Sequence, residues 1–158
     1  MAKEALLDRV PIPAEQIHRI RGEDDPEKAA VEYERELRAL LGSEGLDLVL
    51  LGLGEDGHTA SLFPGQAAVH ETVRWVVALP APDGTMWRVT MTPPVLNAAR
   101  NVTFVVSGPG KALRLKQVLE GPYTPDLLPA QAIRPVQGRL TWMVDQAVVS
   151  PTVSTPAG

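Results

Sequence analysis

Hydrophobic and polar positions along the chain follow two spacings, one typical of helices and one of short strands. Between Glu27 and Leu41 the apolar residues return at helical intervals, Pro26 stands in a first-turn position, and Gly42 marks an end. This pattern predicts a helix over Glu27–Leu41, and the aspartates before Pro26 are capping candidates.

The strand predictions come from apolar runs that are too short for a typical helix. Leu46–Leu51 is apolar except for Asp47, and predicts a strand buried on both faces, as in parallel sheets. Val102–Val106 predicts a second buried strand. Two further strands are predicted at Val73–Leu79 and Met86–Met91.

Predicted helices follow several of these strands, at Thr92–Arg100, Lys111–Leu119 and Thr141–Val149. Strands that alternate with helices are typical of an α/β fold built on a mostly parallel sheet flanked by helices. We expect one such domain over residues 1–150 and a flexible tail over residues 151–158.

Composition narrows the classes of function. With 158 residues, 44% hydrophobic residues, 22% charged residues and a net charge of -4, the chain has the profile of a soluble globular protein. The absence of cysteine excludes disulfides, thiolate metal sites and cysteine nucleophiles. No apolar run approaches the roughly 20 residues of a membrane helix, and no signal-like segment opens the chain. We therefore expect a cytoplasmic location, with neither nucleic acid nor membrane as partner.

A glycine-rich segment follows the first predicted strand. Gly52, Gly54 and Gly57 match the spacing of the dinucleotide-binding fingerprint. That fingerprint needs a long helix from its third glycine, whereas Pro64 interrupts the chain within two turns. The segment is therefore interpreted as a ligand-binding loop at the carboxyl end of a strand, and not as a nucleotide site.

Asp56 and His58 lie in this loop and are the candidate catalytic residues. Imidazole, with an ordinary pKa of about 6.5, suits a general base at neutral pH, and a carboxylate beside it can fix its tautomer. The alternative is a turn in which both side chains only satisfy backbone groups. The glycines at a strand end favour the catalytic interpretation.

Two basic residues are candidates for binding an anion. Lys111 begins a predicted helix directly after a strand and a glycine turn, where backbone N–H groups and the helix dipole favour negative charge. Arg88 lies in an otherwise apolar strand, where burial of a charge requires a partner or a ligand. A surface lysine and a structural ion pair are the respective alternatives.

Several blocks together resemble one known family. The segment Gly52–Gly65, GLGEDGHTASLFPG, closely resembles the signature of bacterial 6-phosphogluconolactonases. Further resemblance to the same family lies in Trp87–Thr92, Val95–Arg100, Ser107–Ala112 and Leu140–Asp145. The related glucosamine-6-phosphate deaminases share the glycines, Asp56 and His58 but continue differently after Thr59.

The resemblance implies a Rossmann-like fold and hydrolysis of the δ-lactone of 6-phosphogluconate, with no metal or organic cofactor. It implies that His58 activates water, that Asp56 orients His58 or the sugar, and that the loop glycines contact the substrate. Arg88 and Lys111 would hold the phosphate. A monomer and a homodimer both stay open.

One part of the family pattern does not occur in the chain. Family members normally begin with a segment that carries a glycine-rich phosphate loop and an Asp-Glu-Arg motif, and neither is present in these 158 residues. The resemblance therefore predicts an N-terminally shortened form with exposed strand edges. Two alternatives to the lactonase follow: an isomerase or deaminase of sugar phosphates, and a shortened domain that binds sugar phosphate without turnover.

Overall fold

The computed structural model describes residues 2–149, so the predicted tail at 151–158 lies outside the described residues. The α-helices are α1 (Ala2–Ala5), α2 (Pro26–Leu41), α3 (Pro93–Asn97), α4 (Ala112–Glu120) and α5 (Gln146–Val149). The strands are β1 (Val49–Leu51), β2 (Val76–Pro80), β3 (Trp87–Met91), β4 (Asn101–Val106) and β5 (Arg139–Val144). None of the described helices is long and apolar enough to cross a membrane.

Three strands form a parallel sheet in the order β1-β4-β5. The register places Phe104 between Leu51 and Trp142, and its ring stacks on the Trp142 ring with centroids 4.0 Å apart. Buried residues of β1, β4, α3 and α4 form the main hydrophobic core with this aromatic pair. The prediction of a mostly parallel sheet flanked by helices is confirmed.

The prediction of a closing helix over Thr141–Val149 is wrong. Residues Arg139–Val144 form strand β5, and only Gln146–Val149 is helical. Short apolar segments fit either spacing, and here every residue of β5 pairs in parallel with β4. Pairing along β4 therefore outweighs the local helical spacing.

The predictions of two buried strands, the first over Leu46–Leu51 and the second over Val102–Val106, are also wrong for one face of the sheet. Val49 is buried, but Leu50 is 65% exposed, and in the neighbouring strands Val105 and Met143 are 53% and 58% exposed. These side chains lie on the face of the sheet opposite the main core, because successive residues of a strand point to opposite faces. The described residues leave that face open.

A second unit consists of α2 and an antiparallel ribbon of β2 and β3. Asp25 accepts a hydrogen bond from the Lys28 N–H and caps α2, and Gly42 ends the helix with φ 55°, so the predicted helix is confirmed. On the ribbon side of α2, Ala30 and Leu37 pack against Val76. This packing brings the ribbon to the side of the loop that follows β1.

Candidate active site

The glycine-rich loop leaves β1 at its carboxyl end and folds back on itself. The Gly54 N–H donates to the His58 carbonyl at 2.8 Å, and the Gly57 N–H donates to the Gly54 carbonyl at 3.1 Å. Outside the loop, the Ala130 N–H donates to the Gly57 carbonyl at 3.0 Å. These bonds form a tight turn at the sheet edge where open α/β folds bind ligands.

Asp56 and His58 are in direct contact in this turn. Oδ1 of Asp56 lies 2.6 Å from Nδ1 of His58 and also accepts the His58 backbone N–H at 3.0 Å. A carboxylate only accepts hydrogen bonds, so Nδ1 carries the proton and Nε2 has the free lone pair of the neutral ring. Nε2 has no hydrogen-bond partner among residues 2–149.

The charge of Asp56 is maintained by the same contacts. Partial burial acts to raise the pKa of Asp56, but the hydrogen bonds from the His58 backbone and ring outweigh it and lower that pKa below its ordinary value. The carboxylate is therefore ionised across the neutral range, which is the state that orients the imidazole and stabilises its protonated form.

The three loop glycines differ in the space that a Cβ atom would have at each position. A Cβ atom on Gly54 would lie 2.1 Å from Nδ1 of His58, so a side chain at Gly54 is incompatible with the pair. Gly57 has φ +91°, and a Cβ atom there would lie 2.8 Å from Leu128. Gly52 has open space around it, and its carbonyl accepts the buried Thr59 hydroxyl at 2.8 Å.

The imidazole of His58 lies between this turn and an aromatic ring. The rings of His58 and Phe63 have centroids 4.8 Å apart and an angle of 48° between their planes. The His58 side chain is 33% exposed, so it reaches solvent on one side while the phenyl ring covers another. Water can approach Nε2 from the open side.

Lys111 lies next to the loop, at the start of α4. Its ammonium group is 3.9 Å from the Glu55 carboxylate, and its side chain is 25% exposed. The preceding turn has Gly108 at φ +91°, and the Gly108 N–H donates to Asp145 at 3.0 Å. The structure therefore brings Lys111 to the edge of the sheet that holds Asp56 and His58.

Arg88 departs from its expected environment. The sequence predicts an arginine inside an apolar strand, but Arg88 is exposed, because it lies near the turn end of the β2–β3 ribbon opposite Leu79. Among the described residues it forms neither a hydrogen bond nor a close ion pair, so the alternative of a structural ion pair is not supported. The pKa of the exposed Asp83 is lowered mainly by hydrogen bonds from Thr85 and further by the charge of Arg88. Arg88 lines a cavity of about 360 Å³ with Arg21 and Ser61.

Ser61 connects this cavity to the loop. Its backbone N–H donates at 3.1 Å to the buried Thr90 hydroxyl, which lies on the same strand as Arg88. Arg88 therefore lies near Ser61, where the chain leaves the loop, whereas Lys111 lies beside Glu55, within the loop. Among residues 2–149, no hydrogen bond or ion pair joins Arg88 to His58.

Sequence reasoning missed two side chains that fix the site. Arg114 donates from Nε to the Glu55 carbonyl at 2.9 Å, and Thr90 holds the Ser61 amide. Arg114 lies 59 residues from its partner, and no local spacing indicates such a contact. Among residues 2–149, no group of three or more ligating side chains is arranged to hold a metal ion.

Comparison with known proteins decides the family. A family model described as glucosamine-6-phosphate isomerases/6-phosphogluconolactonase matches residues 1–142. The chain belongs to this family. Its matched region contains the loop, the ribbon and the start of α4, and so every candidate site residue.

Individual curated members of the glucosamine-6-phosphate isomerase/6-phosphogluconolactonase family are also similar to this chain in sequence. A 6-phosphogluconolactonase from Nostoc sp. is 44% identical over 154 residues, covering 93% of this chain and 62% of the relative. The human 6-phosphogluconolactonase is 42% identical over 146 residues, covering 90% of this chain and 56% of the relative. The chain thus spans little more than half the length of these curated relatives.

A solved structure of the family has the same fold. The 6-phosphogluconolactonase from Thermotoga maritima superposes with a TM-score of 0.76 at 34% sequence identity. The match covers 90% of this chain and 62% of that chain. The predicted resemblance and the predicted Rossmann-like fold are confirmed.

Proposed function

We propose that this chain hydrolyses 6-phospho-D-glucono-1,5-lactone to 6-phosphogluconate. The observation that carries the proposal is the Asp56–His58 pair, with a free Nε2, in a loop of a family whose curated relatives are named 6-phosphogluconolactonase. Lactone hydrolysis needs a base for water and an acid for the leaving oxygen, and one imidazole performs both in turn.

His58 is the general base in this proposal. Nε2 takes a proton from water as the water oxygen attacks the lactone carbonyl carbon, and Asp56 stabilises the imidazolium that results. When the ring C–O bond breaks, the imidazolium returns the proton to the departing oxygen. The product is a carboxylic acid with a free hydroxyl, and the imidazole is neutral again.

Lys111 and Arg88 bind the phosphate in this proposal. Both are cationic and border the loop, and Arg88 forms no hydrogen bond or close ion pair with residues 2–149 that a ligand would have to displace. Charge-assisted hydrogen bonds from ammonium and guanidinium groups to phosphate are about twice as strong as neutral ones. Gly52, with nothing within 4 Å of a Cβ atom, allows the substrate to approach the backbone, whereas the corresponding space at Gly54 and Gly57 is filled by His58 and Leu128.

Two alternatives, isomerisation or deamination of a sugar phosphate and binding without turnover, would require different features of the site. Isomerisation or deamination of a sugar phosphate needs an additional carboxylic acid or carboxylate near the base. Asp56 is already engaged by His58, and the neighbouring Glu55 lies against Lys111. A domain that only binds sugar phosphate would bind the lactone or its product without turnover.

The deciding experiment measures three products from the purified 158-residue chain. The proposal predicts acid release from 6-phosphogluconolactone above the spontaneous rate, with neither ketose nor ammonia from glucosamine 6-phosphate. Ketose or ammonia would favour the isomerase or deaminase. Background rates with a folded chain that still binds 6-phosphogluconate would favour the binding-only domain.

A further inference from the structure

Arg114 joins the two parts of the candidate site. Its Nε donates to the Glu55 carbonyl at 2.9 Å, while its Nη1 donates to the Gln117 side chain at 2.9 Å within the same helix. The bond to Gln117 restricts the guanidinium to one orientation. The carbonyl that it reaches lies in the turn directly before Asp56.

The aliphatic part of Arg114 packs against the same turn. A Cβ atom on Gly57 would lie 3.3 Å from Cδ of Arg114. The methylene stem therefore covers Gly57 while the guanidinium holds Glu55, so one side chain contacts the loop at two points. Rotation of the turn would break both contacts.

Arg114 and Lys111 stand three positions apart at the start of α4, and so face the same side. Lys111 lies 3.9 Å from the Glu55 carboxylate, and Arg114 holds the carbonyl of that residue. Glu55 is therefore contacted by two cations from one helix. These contacts set the position of the imidazole-bearing loop relative to Lys111.

We infer that Arg114 is a positioning residue for the reaction, holding the loop with Asp56 and His58 at a fixed distance from Lys111. The inference rests on the proposed function for its kinetic consequences. A base must lie within hydrogen-bond reach of the attacking water while the phosphate is held elsewhere. A displacement of about 1 Å in such an arrangement can lower the rate about 100-fold.

Kinetics of three variants test this inference. Arg114→Met keeps the aliphatic packing on Gly57 but removes the donor, Arg114→Lys retains a charged donor, and Lys116→Met is the control on an exposed position of α4. We expect Arg114→Met to lower kcat about 10- to 100-fold with a smaller change in KM. Arg114→Lys should restore part of the loss, and Lys116→Met should match wild type.

The effect of Arg114 must pass through His58. In a His58→Ala background, Arg114→Met should therefore lower the residual rate less than twofold. A loss as large as that seen in the presence of His58 would contradict a positioning role and indicate general damage to the fold.

A second readout is independent of turnover. Amide hydrogen exchange of Gly54 and Gly57, whose N–H groups close the turn, should quicken about 10-fold in Arg114→Met and stay unchanged in Lys116→Met. If wild type lacks lactonase activity, the proposed function fails and this exchange comparison alone decides the inference. Unchanged exchange in Arg114→Met overturns it, whether or not the chain is active.

Discussion

Gly54 lies so close to His58 that a Cβ atom on the glycine would be 2.1 Å from Nδ1 of the imidazole. The same Cβ atom would lie 2.6 Å from Oδ1 of Asp56. The hydrogen bond between the two candidate catalytic side chains thus occupies the space that any side chain at Gly54 would need. The contact between Asp56 and His58 therefore requires glycine at position 54.

We therefore expect Gly54→Ala to break the contact between Asp56 and His58. Nitrogen-15 NMR of the imidazole should show loss of the predominant Nδ1–H tautomer, because the carboxylate can no longer accept that proton. Gly52→Ala is the matched control, since nothing lies within 4 Å of a Cβ atom there. The same tautomer in Gly54→Ala and wild type would contradict this geometry.

The lowered pKa of Asp56 predicts a pH dependence of stability. A carboxyl whose pKa is lower in the folded state stabilises the fold above its unfolded pKa of about 3.9, and this stabilisation is lost as the pH falls through the folded value. The difference in unfolding free energy between wild type and Asp56→Asn should therefore shrink as the pH falls below about 4.

Denaturant titrations of both proteins between neutral pH and pH 3 measure this difference. In His58→Ala, the Asp56 carboxylate loses the imidazole hydrogen bond, so NMR titration should place its pKa higher than in wild type. A difference in unfolding free energy that is constant over the whole pH range would be inconsistent with a lowered pKa of Asp56 in the folded chain.

Removal of the Lys111 charge should weaken binding of the phosphorylated substrate. We expect Lys111→Met to raise KM for the phosphorylated lactone about 10-fold or more, the worth of a charge-assisted hydrogen bond. Hydrolysis of gluconolactone without phosphate should change little, and Lys116→Met provides the matched loss of a charge on α4. An equal rise in KM for both lactones would show that Lys111 does not bind the phosphate.

Glu34 connects α2 to the ribbon that carries Arg88. The side chain is 9% exposed and pairs with Arg38 at 2.8 Å and Arg74 at 2.5 Å. Glu34→Gln should lower the free energy of unfolding by about 1–3 kcal/mol, less than a fully buried pair, because both guanidinium groups are partly exposed. Glu32→Gln, whose partner Lys28 is 3.9 Å away, should change it by at most about 0.5 kcal/mol.

Thermal and denaturant unfolding of the two glutamine variants check this prediction. Burial acts to raise the pKa of Glu34, but the hydrogen bonds from Arg74 and Arg38 lower it. Its stabilisation is therefore present at neutral pH and is lost on acidification. Equal stability of the Glu34 and Glu32 variants at neutral pH would show that the pair does not hold the ribbon.

Sequence patterns predict the elements that depend on local signals. Asp25, Pro26 and Gly42 bound α2 as expected, because caps and breakers act within a few residues. The segment Arg139–Val144 differs, since its strand exists through pairing with β4, more than 30 residues earlier in the chain. The spacing of apolar residues within this segment holds no information about a partner strand elsewhere in the chain.

In the candidate site, too, the contacts between near neighbours in the sequence could be predicted, whereas those between distant residues could not. Asp56 and His58 stand two residues apart, and their expected contact is present in the structure, although their catalytic role stays a proposal. Arg88 has an environment that its apolar neighbours did not indicate, because strand exposure depends on which element covers the ribbon. The hydrogen bond from Arg114 to the Glu55 carbonyl joins residues 59 positions apart in the chain, and no local motif encodes such a contact.

The most direct test of the account compares lactone hydrolysis by wild type, His58→Gln and His70→Gln at neutral pH. His70 also lies 2.6 Å from an aspartate, Asp126, but outside the loop, so it controls for loss of a paired imidazole. We expect turnover above background in wild type, retained in His70→Gln and lowered about 10²–10⁴-fold in His58→Gln. Near-normal turnover in His58→Gln would contradict the proposed role of His58, and a folded wild-type chain without turnover would contradict the proposed activity.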